Sequence, residues 1–150
     1  MLVFPEENIA PSGFGVLGIV PLADGIGMGK NIRRLLIKDE LWLLYGGNCH
    51  YCGVAFDNKN TKLRCTLDHK IPVIKGGKDT LENCVLACQW CNGVKSNASY
   101  TDFVLFMMFI ELQGLDPAKH KPSGLRLGKL IRKFNRFIGR ELHPRTAVIA

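Results

Sequence analysis

Apolar positions recur along this chain with two different periods, and the switches between them divide it into elements. Asn31 reads as a helix cap, Ile32, Leu35, Leu36, Leu43 and Leu44 follow at helical spacing, and Gly46 and Gly47 form a stop signal. A helix over about 31–45 is expected. Residues 48–64 read as a knuckle and a polar loop, 65–69 as a short strand, 70–83 as a loop holding Pro72, Gly76 and Gly77, and 84–88 as a second strand. A helix of two or three turns should begin near Gln89. Ser99 and Asp102 have capping-box-like spacing before Phe103 to Gln113, an almost wholly apolar helix that Gly114 ends and that belongs at the centre of a core. The last periodic segment runs from Leu125 to about Leu142. There Leu127, Leu130, Ile131, Phe134, Phe137 and Ile138 make one stripe, while Arg126, Lys129, Arg132, Lys133, Arg136 and Arg140 lie mostly elsewhere on the helix.

Helices around a short strand pair indicate an α+β fold. Three stretches follow: an N-terminal extension over 1–30, a core over 31–100 and a helical extension over 101–150, together making one compact domain. The extension is rich in Gly and Pro, and residues 14–20 could form a strand. Gly25, Gly27, Gly29 and Lys30 have the look of a phosphate loop, but a Walker motif needs Gly where Asp24 stands and Ser or Thr where Asn31 stands. The segment reads as a linker or turn.

Composition supports a folded chain and narrows its partners. Of 150 residues 47% are hydrophobic and 22% charged, enough for one ordinary core. The net charge of +7 suits a polyanionic partner such as nucleic acid. It is unevenly placed: residues 117–150 hold nine Lys/Arg against one Glu, whereas residues 1–116 hold eleven against twelve Asp/Glu. No apolar run reaches the roughly 18 residues a bilayer crossing needs. Met1 to Ala10 carries Glu6 and Glu7 without a Lys or Arg, unlike a secretory signal. A soluble protein of the reducing cytoplasm, without a membrane partner, is therefore expected.

In that compartment six cysteines point to metal ligands or buried thiols rather than disulfides. Cys49 and Cys52 form one C-x2-C pair and Cys88 and Cys91 another, with 35 residues between the pairs. Zn²⁺ takes four thiolates in a tetrahedron, and a C-x2-C turn brings two sulfurs onto one ion. Four thiolates close the shell, so such a zinc is structural and any catalysis lies elsewhere. His50 could replace one thiol as ligand, although four Cys already suffice. Cys65 and Cys84 fit better as small buried hydrophobes on the two strands.

The stretch between the pairs gathers different chemistry. Asp68 and His69 end the first strand, Asn83 precedes the second, and Asn92 and Lys95 follow Cys91. The Asp68 carboxylate and the Asn92 amide oxygen suit a hard ion such as Mg²⁺ or Mn²⁺, which keeps waters and takes phosphate oxygens as further ligands. A neighbouring histidine can take a proton from water near neutral pH. Standing alone, Asp68 and His69 would read as a salt-linked pair in a surface turn. Between two zinc knuckles they read as parts for metal-assisted phosphodiester hydrolysis.

The run Leu67-Asp68-His69-Lys70-Ile71-Pro72, then Lys75-Gly76-Gly77, then Leu81-Glu82-Asn83-Cys84-Val85-Leu86-Ala87-Cys88-Gln89-Trp90-Cys91-Asn92-Gly93-Val94-Lys95, closely resembles the HNH endonuclease family. With the Cys49-His50-Tyr51-Cys52-Gly53 knuckle it is similar to the zinc-containing branch of that family. The resemblance covers about residues 42–97 and implies a ββα-metal core with a structural zinc site, flanked by α-helices. It further implies a DNA endonuclease in which Asp68 ligates the catalytic ion and His69 is the general base. Asn83 would hold the hairpin loop so that the His69 ring points correctly, and Asn92 would be the second protein ligand where the family often has His. Lys95 would lie near the substrate backbone.

Two uses of the flanks follow. The basic helix could lie along a DNA backbone, with Arg126, Lys129, Arg132, Lys133, Arg136 and Arg140 neutralising phosphates, or be an ordinary solvated face, or meet an anionic membrane surface or a protein. The apolar helix would serve a homodimer only if part of it were exposed. The competing function class is a non-catalytic zinc module that binds nucleic acid or protein. The intact set Asp68, His69, Asn83 and Asn92 favours the enzyme, since a binding module has no need of a metal and a base.

Overall fold

The computed structural model describes residues 29–139; the predicted strand over 14–20, nearly all of the N-terminal extension and Arg140 lie outside them. Helix α1 spans Lys30–Tyr45, strand β1 Cys65–His69, strand β2 Cys84–Cys88, and helices α2, α3 and α4 span Gln89–Lys95, Tyr100–Leu112 and Gly124–Ile138. Short 3₁₀ turns occupy Thr61–Leu63 and Val73–Lys75. Helices around one small sheet make the fold α+β, as the hydrophobic periods implied.

The strands form an antiparallel hairpin in the register Cys65↔Cys88 through His69↔Cys84. Every residue of β2 is buried because helices cover both faces of the sheet. Period two then sorts the side chains: Val85 and Ala87 face the larger core, while Cys84 and Leu86 face a smaller one with Cys65 and α1. Cys65 and Cys84 are thus the buried thiols expected of them.

In α1 the buried positions are Ile37 and Leu41, one helical turn apart. The expected stripe of Ile32, Leu35, Leu36, Leu43 and Leu44 faces outward instead. The small sheet offers Cys65, Cys84 and Leu86 to this helix, a patch that two side chains cover. Gly46, with φ of 74°, ends the helix in a conformation open to glycine.

No residue separates β2 from α2. Cys88 closes the strand, and its sulfur accepts the Cys91 backbone N–H at 3.4 Å as the helix cap. Ser99 caps α3 as its spacing predicted, accepting the Asp102 N–H at 3.1 Å. From α3, Phe103, Phe106, Met107, Phe109 and Ile110 enter the larger core. Helix α4 packs on it through Leu127, Ile131 and Phe134, with the Phe134 ring 5.3 Å from Phe106 and 5.5 Å from Phe109. It stops earlier than the expected residue 142, because Gly139 turns left-handed with φ of 67°.

Candidate metal centre and nuclease site

Cys49 and Cys52 sit on a turn whose ends are tied by the Asn48↔Ala55 bridge, with Gly53 at φ of 68°. This knuckle leans on the sheet through the His50 N–H, which donates to the Leu86 carbonyl at 2.9 Å. Cys88 and Cys91 come from the β2–α2 junction. All four thiols are buried, and their sulfurs lie within 4.8 Å of one another. The Cys52 and Cys88 sulfurs are 3.9 Å apart. A tetrahedron with Zn–S bonds of about 2.3 Å has edges of about 3.8 Å, close to the Cys52–Cys88 separation, so the cluster could bind zinc. Hydrogen bonds from Cys49, Cys88 and Cys91 hold the Cys52 thiol far below its usual range, and a hydrogen bond from Cys49 lowers Cys88 to about 7. Hydrogen bonding to Cys52 raises Cys49, and burial raises Cys91, so charge collects on part of the cluster. His50 stands outside the cluster, its Nε2 3.0 Å from the Tyr100 hydroxyl.

Lys121, which the sequence did not single out, reaches this centre from the segment before α4. Its ammonium donates to the Cys52 sulfur at 3.0 Å and to the Pro117 carbonyl, and lies 5.1 Å from the Trp90 ring centroid. Burial disfavours the charged amine, but the sulfurs outweigh it and hold Lys121 above its ordinary value.

Asp68 lies on the sheet face covered by α2. Both of its oxygens are engaged: Tyr51 donates to Oδ2 at 2.6 Å, and the Lys95 ammonium stands 3.2 Å from each. Burial and the adjacent carboxylate keep the Tyr51 phenol well above its ordinary pKa, so it remains a donor. Lys95 also donates to the His69 carbonyl at 2.6 Å. Its side chain has no solvent exposure. Lys95 therefore cannot lie against a substrate backbone as the family position implied; it is a structural counter-charge to Asp68. Four residues after Cys91 on the same helix face, it was bound to point inward.

Asn92 donates through Nδ2 to the Thr66 hydroxyl at 2.9 Å and the Leu67 carbonyl at 3.3 Å, which fixes its amide plane. Its Oδ1 is left as an oxygen donor on the helix that covers Asp68. A carboxylate offers about four lone-pair sites, so Asp68 can add a metal bond to those it makes. One carboxylate and one amide oxygen fit a hard divalent ion that retains waters.

His69 points to the opposite face of β1 from Asp68. Its Nε2 lies 2.6 Å from Asp79 Oδ1, an aspartate that sequence reasoning missed. The Arg34 Nε of α1 is 3.4 Å from the same oxygen, and Cys84 completes a group of three donor atoms within 4.8 Å. Asn83 binds the loop that carries Asp79: its Oδ1 accepts the Ile71 N–H at 2.9 Å, and its Nδ2 donates to the carbonyls of Ile71 at 3.2 Å and Lys78 at 3.0 Å. Gly77 is required for this closure, since a Cβ there would lie 1.8 Å from the Ile71 carbonyl oxygen. Beside Asp79 a cavity of about 250 Å³ is lined by Lys30, Arg33, Val73, Gly77, Lys78 and Thr80.

On α4, Arg126, Lys129, Arg132, Lys133 and Arg136 are all exposed, as the amphipathic pattern predicted, and Lys133 also donates to Gln113. Five residues of α3 are buried in the core, and Leu105, Met108 and Leu112 are exposed. Among the described residues no helix is long and apolar enough to cross a membrane.

Comparison with known proteins agrees with this geometry. Uncharacterized protein R423 of Acanthamoeba polyphaga mimivirus is 27% identical over 85 residues, which is 57% of this chain and 15% of that protein. The chain thus spans a small part of the relative it matches. Residues 49–98, from the first knuckle to the end of the α2 region, match the family model for HNH endonucleases. The knuckles, hairpin and short helix of this chain are thus the part that is similar to an HNH endonuclease domain.

Proposed function

We propose that this protein is a metal-dependent HNH endonuclease that hydrolyses DNA phosphodiester bonds. The observation that carries the reading is the match of residues 49–98 to the HNH endonuclease family model, which takes in Asp68, His69, Asn83 and Asn92 beside a four-cysteine cluster that could hold a structural zinc. Asp68 and Asn92 would hold one Mg²⁺ or Mn²⁺. When bound, that ion supplies charge stabilisation to the leaving 3′ oxygen and to the crowded phosphorus.

The protein's own groups do the rest. His69 accepts a proton from water through Nδ1, since Nε2 is occupied by Asp79. The water oxygen attacks phosphorus in line, the P–O3′ bond breaks, and the 3′ oxygen takes a proton from solvent. Products carry 5′-phosphate and 3′-hydroxyl ends. Asn83 holds the loop that follows His69 and so fixes the ring's direction. Tyr51 and Lys95 lock the Asp68 carboxylate in a single orientation, which removes reorganisation from the reaction. The exposed cations of α4, with Arg140 beyond it, are proposed to meet the phosphate backbone at sites without sequence information.

The test is conversion of supercoiled plasmid to nicked and linear forms with Mg²⁺, Mn²⁺ or EDTA, comparing wild type with folded, zinc-loaded His69→Ala. Metal-dependent cutting that the variant loses is expected. Equal cutting by both proteins removes His69 from the mechanism. DNA binding without cutting under any metal turns the reading to a non-catalytic zinc module.

A further inference from the structure

We infer that Asp79 is the positioning residue of His69: its carboxylate holds the imidazole with the proton on Nε2, so that Nδ1 is kept free to take the proton from water. The inference rests on the nuclease reading for its chemistry and on the hairpin loop for its geometry.

Asp79 is ten residues from His69 in sequence, yet its Oδ1 lies 2.6 Å from Nε2 with both side chains about nine-tenths buried. Such a separation is that of a strong, charge-assisted hydrogen bond. An ionised carboxylate can only accept, so the proton between the two groups belongs to Nε2. In a neutral imidazole the other nitrogen is then the base, as in a triad whose aspartate fixes the histidine tautomer.

Three features hold Asp79 to this task. Asn83 binds Ile71, two residues after His69, and Lys78, one residue before Asp79, so one amide clamps both partners of the pair. The Thr80 N–H donates to the Lys78 carbonyl at 3.0 Å and shapes the turn at Asp79 itself. From α1, Arg34 Nε is buried without a hydrogen-bond partner among the described residues, and it stands 3.4 Å from Asp79 Oδ1. Both the Arg34 and the His69 nitrogen meet the carboxylate at that one oxygen, Asp79 Oδ1. Helix α1 thus takes part in the site although it lies outside the matched residues 49–98.

The replacement Asp79→Asn tests this without changing the size of the side chain. Its amide can turn to donate to Nε2, which drives the proton to Nδ1 and removes the base. In a serine protease the equivalent change lowers kcat by roughly 10⁴-fold through the wrong tautomer. Here a fall in kcat of at least about 10²-fold with KM within about threefold is expected, and Asp79→Glu should recover part of it.

The second readout does not depend on activity. With ¹⁵N-labelled histidine at about pH 8, above the ordinary histidine range, wild-type His69 should show the Nε2–H tautomer and Asp79→Asn should lose it. A purely structural role would leave the tautomer and the kcat/KM split unmoved. If Asp79→Asn does not fold, Arg34→Gln carries the test, with a smaller shift in the same direction. An unchanged tautomer, or kcat within about threefold of wild type in a wild-type enzyme that cuts, overturns the inference. If wild type cuts no DNA, the nuclease reading fails while the tautomer shift still decides the pairing.

Discussion

Replacing Lys95 with Met removes one half of a buried ion pair and leaves the other half in place. The ammonium makes a 2.6 Å bond to the His69 carbonyl and stands 3.2 Å from each Asp68 oxygen. Its side chain is 0% exposed and that of Asp68 5%, so solvent cannot take its place. Burial lowers the proton affinity of Lys95, and the Asp68 charge works against that loss. After the change, Asp68 keeps Tyr51 as donor and carries an uncompensated charge in the interior. Breaking a buried pair in this way costs about 3–5 kcal/mol. At the few degrees per kcal/mol usual for small domains, the melting temperature should fall by roughly 10–20 °C. Adding Asp68→Asn to Lys95→Met removes the stranded charge, and the double variant should recover about 1–2 kcal/mol over the single one. Urea unfolding of zinc-loaded protein at neutral pH reads both values. A Lys95→Met loss below about 1 kcal/mol, or a double variant less stable than the single, would refute the account of Lys95 as counter-charge.

Lys121→Met should weaken zinc binding about 10- to 100-fold in competition with a chelator, because it removes a cation donating to Cys52; unchanged affinity would show the contact to be incidental. His50 gives a pH signature, since burial and then the Lys70 charge hold its pKa below 6.5 in the folded protein. The unfolded chain binds that proton more readily, so stability should fall as pH drops through 6.5 toward the folded value. His50→Gln should flatten this part of the profile, and an equal slope in both proteins would exclude His50 as its source. Changing Arg126, Lys129, Arg132 and Arg136 together to Gln should make the salt dependence of DNA binding shallower, by up to ~0.9 in log–log slope per lost phosphate contact, measured by anisotropy. An unchanged slope would take α4 off the DNA.

The strands, the four-cysteine cluster and two helix ends were legible because each is written locally: short apolar-rich runs at 65–69 and 84–88, paired C-x2-C spacing, and glycine at 46 and 114, whereas the stop at Gly139 was missed inside a periodic stripe that runs on toward Leu142. The buried face of α1 was not. That helix carries more apolar residues than one face can hold, and the choice between them is made by three side chains of a distant hairpin. Asp79 and Arg34 were hidden for a related reason. A charged residue in a polar loop, or on the first turns of a helix, reads as solvated until the loop closes through Asn83 and brings it to His69. Lys95 shows the opposite case: the family position suggested a surface role, while its spacing from Cys91 already carried the correct direction.

The junction at Cys88, where strand passes into helix with nothing between, bears on how a substrate would be met under the proposed function. Asp68 and His69 ride on one element, Asn92 on the other, and the joint between them has no slack. Jaws need a hinge, and this site has none at that point. On the proposed nuclease reading its halves would act as a fixed jig, so that accommodation would fall to the substrate: the strand to be cut would have to bring its own bend, and flexible or already distorted steps would be the ones that fit.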